Sequence, residues 1–100
     1  MLKSELINSI ASKQTQISHA DVVAAVNNML ELMSKELANG GRIEIRGFGS
    51  FSLHYRAPKI ARNPKTEEKV AVQQRHSVHF KPALELRKRV DDSSKQYPII

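Results

Sequence analysis

Arg42-Ile43-Glu44-Ile45-Arg46-Gly47-Phe48-Gly49-Ser50-Phe51-Ser52-Leu53-His54-Tyr55-Arg56 decides the fold of this chain. In its first five residues the period is two. Ile43 and Ile45 share one face, and Arg42, Glu44 and Arg46 share the other. Phe51, Leu53 and Tyr55 then alternate with Ser52, His54 and Arg56. Gly47 and Gly49 surround Phe48 between the two runs and mark a tight turn. The stretch therefore predicts a β-hairpin with one apolar and one polar face.

Upstream of it the period is helical. Ser4 is the expected N-cap of a short helix, with Glu5 in its first turn and an end near Gln14. Leu6, Ile7, Ile10 and Ala11 fall at helical spacing within it. Ser18-His19-Ala20-Asp21 has the form of a capping box, and Ile17 and Val22 supply a hydrophobic staple. Val22, Val26, Met29, Leu30, Met33 and Leu37 continue as one apolar stripe. Asn39-Gly40-Gly41 ends this second helix, because glycine takes a positive φ at C′ without strain.

Downstream of the hairpin the pattern loosens. Residues 57–75 contain Pro58, Pro64, Lys59, Arg62, Lys65, Lys69 and Arg75, with few large apolar side chains. Two extended segments joined around Asn63-Pro64-Lys65 are expected there. The stretch cannot bury a core, so it is either a disordered loop or a ribbon that orders against a ligand. Val78 and Phe80 resume a core-type strand. Pro82 is expected to open a last helix near Ala83, and the tail from Asp91 onward is expected to fray.

The 100 residues make one domain at most. Sixteen basic and ten acidic side chains give a net charge of +6. Residues 42–90 hold twelve of the basic and four of the acidic ones, net +8, while the segments on either side are each −1. That concentration suggests a polyanionic partner. The lack of cysteine excludes a disulfide scaffold, thiolate metal sites and a cysteine nucleophile. Met1-Leu2-Lys3-Ser4-Glu5 has no long apolar run of the kind a signal peptide carries. No segment approaches the roughly 20 apolar residues of a membrane span. A cytoplasmic protein is expected.

No catalytic constellation stands out. His76 and His79 are three apart, which puts their rings on opposite faces of a strand, His54 is expected on a neighbouring strand, and no carboxylate or thiol completes a metal site. No enzyme activity, cofactor or metal is expected. Tyr55 alone is a poor platform for stacking RNA bases. Without residues 57–75 the remainder carries three Phe and no Trp, a thin core for a monomer. The apolar stripe of the second helix is therefore expected to face a second subunit in part, the alternative being a small monomer with an ordinary core helix.

The run from Gly40 to Pro58, followed by Arg62-Asn63-Pro64-Lys65-Thr66 and His79-Phe80-Lys81-Pro82, resembles the bacterial HU and integration host factor family of DNA-bending proteins. The resemblance spans about residues 2 to 90, and within the family it is greatest to the beta chains of integration host factor. It implies an α+β fold: an intertwined dimer with a helical base of two N-terminal helices, a three-stranded antiparallel sheet extended into a β-ribbon arm, and a short C-terminal helix. It implies a single domain over residues 1–94, an arm at about 56–75 and a flexible tail at 95–100. The implied ligand is double-stranded DNA. The implied partner is the alpha subunit of integration host factor in a heterodimer, with a nonspecific HU-like homodimer as the alternative. The implied location is the nucleoid.

The resemblance also assigns DNA-binding residues: Lys3, Arg42, Glu44, Arg46, Arg56, Lys59, Arg62, Asn63, Pro64, Lys65, Lys69, Arg75 and Lys81. From the residues alone Pro64 is either an ordinary turn proline or a wedge. The resemblance makes it the intercalating wedge, apolar and without an N–H to leave unpaired. Eight extended residues from Arg56 would carry it on the order of 26 Å outward. Arg62 and Lys65 flank it, and Lys59, Lys69, Arg56 and Arg75 would meet phosphates. Arg46 is implied to enter the minor groove, held by Glu44, and to set site preference. Lys3, Lys81 and the helix starting at Ala83 would hold the outer DNA. Ala61 and Glu67 depart from the family pattern, which often has glycine at these places. Alanine takes a positive φ only at a cost, and Glu67 brings a negative charge close to the tip.

Overall fold

The computed structural model describes residues 1–97 and divides the chain into two compact units, Met1–Glu36 and Leu37–Ile100. The element order is α1 (Lys3–Lys13), α2 (His19–Ala38), β1 (Ile43–Ile45), β2 (Gly49–Arg56), β3 (Lys59–Arg62), β4 (Lys69–Val72), β5 (Arg75–Pro82) and α3 (Leu84–Ser93). The class is α+β. No described helix is long and apolar enough to cross a membrane.

The first unit is helical. α1 starts one residue before Ser4. Leu2 occupies the N-cap with no side-chain hydrogen bond, so Ser4 is a helical residue and does not cap. The second cap is as the sequence predicts: the Asp21 N–H donates to Ser18 Oγ at 3.2 Å. Ile7, Val22 and Val26 are buried together, with Ile10, Ala11 and Val23 packed against them. Farther along the stripe Met29 is 56% exposed and Leu30 is exposed too, while Met33 and Leu37 are half-buried. α2 ends where Gly40 reaches φ +83°.

The second unit carries the sheet. β1, β2 and β5 form a three-stranded antiparallel sheet in the order β1-β2-β5. The turn between β1 and β2 closes where the Phe48 N–H donates to the Ile45 carbonyl, with Gly47 at φ +80°. Gly49 is buried and paired with Pro82. A Cβ there would lie 2.6 Å from Phe80 Cζ and 2.7 Å from the Lys81 carbonyl oxygen, so only glycine fits. The apolar face of the sheet gathers Phe51 and Phe80, whose ring centroids are 4.8 Å apart, and Phe48 and Phe80 at 5.4 Å.

The disordered-loop alternative for residues 57–75 does not hold. β3 and β4 pair as a separate two-stranded ribbon. It is interrupted from the main sheet at Ala57-Pro58 on one side and Gln73-Gln74 on the other. Pro58 has no N–H to donate, which accounts for the break on its strand.

At the other end two expectations are corrected. Pro82 closes β5 and lies ahead of α3, whose N-cap is Ala83. The chain from Asp91 does not fray at once: α3 runs to Ser93, and Lys95, Gln96 and Tyr97 donate backbone hydrogen bonds to Asp92 and Ser93. Of the expected tail, residues 98–100 lie outside the described residues.

Candidate nucleic-acid interface

Strand pairing sorts the side chains of the sheet. Residues opposite one another in an antiparallel pair share a face. Phe51 with Phe80, Leu53 with Val78 and Tyr55 with His76 occupy one face. Ser50 with Lys81, Ser52 with His79, His54 with Ser77 and Arg56 with Arg75 occupy the other, which Glu44 joins through Ser50. The second face is polar along its whole length and carries the cations.

At the turn end this face opens into a shallow concavity of ≈ 550 Å³. Arg42, Arg46, Lys81 and Arg87 line it, and Glu44 is its lone lining carboxylate. The first turn of α3 forms part of the rim at Leu84. The α3 N-cap, Ala83, makes no side-chain hydrogen bond, so no capping side chain claims the backbone N–H groups of that turn. Four cations beside a helix N-terminus attract an anion with several oxygens, such as a phosphate.

Two details differ from the expected arrangement. Arg46 lies in the turn, one residue beyond β1. Glu44 does not hold it. The Glu44 carboxylate pairs instead with Arg42, Oε1 to Nη2 at 2.8 Å, with both side chains well exposed. The i, i+2 spacing on a strand puts those two on one face, which explains the preference. Arg46 is thereby free of a carboxylate among the described residues.

The polar face continues toward the arm. Arg56 faces Arg75, and the Arg56 Nε–H donates to Ser77 Oγ at 3.2 Å. In the arm Arg62 faces Lys69 and Lys59 is exposed. Both are like-charge pairs set directly across a ladder, an arrangement that opposes strand pairing in water and suits an anionic ligand.

The tip is a tightly bonded loop. Asn63 Oδ1 accepts from the Lys65 N–H at 3.0 Å, an Asx turn around Pro64. The Glu67 N–H donates to the Asn63 carbonyl at 2.7 Å, and the Asn63 N–H donates to the Glu68 carbonyl at 2.9 Å. Closing the loop this way puts Glu67 at φ +57°, the left-handed region. Ala61, the other departure, sits within β3 and needs no such conformation. Pro64 and Lys65 are exposed in the loop that joins β3 to β4.

Lys3 stands apart from this set. It opens α1 in the first unit, and its Nζ donates to Asn27 Oδ1 at 3.0 Å. Three residues were missed as candidates. Arg87 lines the concavity one turn beyond Ala83, a helical offset readable in the sequence. His54 and His79 stack across β2 and β5 with centroids 4.4 Å apart and planes 14° from parallel. His76 lies on the opposite face against Tyr55, as the three-residue spacing requires. Among the described residues no cluster of three or more potential metal ligands occurs.

Comparison with known proteins agrees with this surface. Residues 1–91 match the family model described as bacterial DNA-binding protein. The chain is 60% identical over 99 residues to integration host factor subunit beta of Halorhodospira halophila, covering 99% of this chain and 97% of that one. It is 57% identical over 98 residues to the same subunit of Teredinibacter turnerae, covering 98% of this chain and 100% of that one. Its fold is similar to that of Anabaena HU in a cocrystal structure with DNA. The TM-score is 0.80 at 28% identity, over 90% of this chain and 97% of that chain.

Proposed function

This chain belongs to the bacterial DNA-binding protein family, that of HU and integration host factor, and on that footing we propose that it works as a beta-type subunit of integration host factor. In this role it is an architectural protein that binds the minor groove at preferred sites and bends the duplex. The family is non-enzymatic, and the chain's work is done by binding alone. The observation that carries the reading is the cluster of Arg42, Arg46, Lys81 and Arg87 around the concavity, with Arg56 opposite Arg75 farther along the sheet's polar face and Arg62 opposite Lys69 on the arm.

The mechanism follows from that layout. The concavity and the sheet's polar face neutralise phosphates, which releases counterions and makes log K fall with log salt at a slope of about −0.9 per phosphate paired. Lys3, Lys59 and Lys65 add phosphate contacts. Pro64, held within the Asn63 turn of the arm loop, enters a base step and unstacks it. Arg62, Asn63 and Lys65 fix the wedge on the groove. Arg46, unpaired by Glu44, reads a narrow minor groove, so specificity comes from shape and deformability.

Residues 1–94 act in this reading as one module, with the arm at about 56–75. Met29, Leu30 and Leu32 along α2 supply exposed apolar surface for a second subunit, an alpha chain of integration host factor. The complex works on the nucleoid.

End-to-end fluorescence transfer on two labelled duplexes at one fixed salt tests the reading. One duplex carries an integration-host-factor-type site and the other a scrambled sequence. Strong bending of the first and little of the second is expected. Equal bending of both would place the chain with the nonspecific HU-like mode. No bending of either, with an alpha subunit present, would overturn the proposal.

A further inference from the structure

His54 and His79 are the one stacked pair of titratable rings among the described residues, and the basic face has no structural use for them. They are not core: both side chains are exposed. Neither is bonded to a carboxylate among the described residues. They sit midway along the polar face, diagonal to each other across the β2–β5 ladder.

The charged groups around them on that face are nearly all positive. Arg56 of β2 and Arg75 of β5 lie on the arm side, and Lys81 of β5 lies on the concavity side. From β1 the face receives Arg42 and Glu44, which are paired with each other at 2.8 Å. Histidine is the side chain whose charge changes across the physiological range. The two rings lie 4.4 Å apart, with Arg56, Arg75 and Lys81 on the same face. A phosphate backbone laid along this face reverses the local field and favours the charged form.

We infer that the stacked His54–His79 pair is a proton-linked DNA contact, taking up a proton from solvent when the polar face binds the duplex. The inference rests on the reading that this face meets DNA. Its sign is fixed by linkage: the complex holds more protons than the free chain, so affinity is greatest at low pH and is lost as pH rises. Uptake of one proton gives at most a tenfold change in affinity per pH unit. The expected effect is binding roughly three- to tenfold tighter at about pH 6 than at about pH 8.

The test uses the full chain and a fluorescein-labelled duplex of about three helical turns, with anisotropy read at both pH values and constant ionic strength. His54→Gln and His79→Gln are expected to flatten the pH response, while His76→Gln, on the other face, keeps it. Titration calorimetry on the unaltered chain, in two buffers of different ionisation enthalpy, is expected to show net proton uptake on binding. Affinity that is equal at both pH values with no proton uptake would overturn the inference. So would a full wild-type response in both His54→Gln and His79→Gln. A chain that bound no duplex at either pH, with an alpha subunit present, would overturn the DNA-binding reading itself, and this inference with it.

Discussion

Replacing Glu67 by glycine isolates what the arm tip costs the free protein. Glu67 sits at φ +57° because the loop from Asn63 to Glu68 closes through two backbone hydrogen bonds of 2.7 and 2.9 Å. A side chain in that region crowds its own backbone by about 1–2 kcal/mol, and glycine does not. Glycine also gains freedom in the opened loop, which offsets about 0.5–1 kcal/mol of that relief. The net expectation is a loop tighter by about 0.5–1 kcal/mol, which is roughly a two- to fivefold slower opening equilibrium. Amide hydrogen exchange reads it directly, at the N–H groups of Asn63 and Glu67 that close the loop. Protection at both is expected to rise by that factor. Glu67→Gln separates the second effect of the substitution: it keeps the strained conformation and removes the charge beside Lys65 and Lys69. It is expected to leave protection unchanged while raising DNA affinity at low salt. Unchanged or lower protection in Glu67→Gly would refute the claim that the backbone at this position is strained.

Pro64→Ala is expected to reduce the bend, measured by fluorescence transfer, more than it reduces affinity; an unaltered bend angle would sink the wedge role. Arg46→Ala is expected to narrow the affinity ratio between a preferred site and random DNA, and an unchanged ratio in competition binding would count against its reading role. Gly49→Ala would drive a methyl group to within 2.6 Å of Phe80 Cζ and 2.7 Å of the Lys81 carbonyl oxygen. A loss of about 1–3 kcal/mol in denaturant unfolding is expected from such overpacking.

The hairpin was legible because its period switches cleanly to two, and because Gly47 and Gly49 each do work only glycine can do there. The second helix was legible from its ends: Ser18 does cap and Gly40 does take the positive φ. The misplacements share a cause. Ser4 has the residue type of a cap, but the helix begins one residue earlier at Lys3, and Ser4 is left inside its first turn. Arg46 continues the alternation of Arg42 and Glu44 in sequence, yet the Phe48–Ile45 hydrogen bond ends the strand before it. The salt bridge of Glu44 to Arg42 follows from their i, i+2 spacing on one strand face. Neighbouring strands for His54 and His79 are legible in the sequence, but their stack is not. It depends on Leu53 meeting Val78, a register set by the length of the whole arm between them.

The arm's own sequence works against its standing free. A lone two-stranded ribbon is marginal in water, and here the four pairs from Lys59 to Arg62 include Arg62 opposite Lys69, with Arg56 opposite Arg75 at its base. Each like-charge pair subtracts roughly 0.2–1 kcal/mol from strand pairing. The arm's carboxylates cannot compensate, because Glu67 and Glu68 lie in the loop and not on the ladder. Salt then acts in two opposed ways. It screens the two repulsive pairs, which orders the free arm, and it competes with the phosphates that the same four cations would meet. The first effect is capped by the pair energies, at about 2 kcal/mol in total. The second grows with every phosphate paired, at a slope of about −0.9 in log K for each. With four arm cations alone, a fourfold rise in salt weakens binding by roughly two powers of ten, or about 3 kcal/mol, and the cations of the concavity add to that. Competition therefore outweighs screening, and the arm's repulsive pairs are tolerable in the free chain because the partner that relieves them is bound most tightly where the repulsion is greatest.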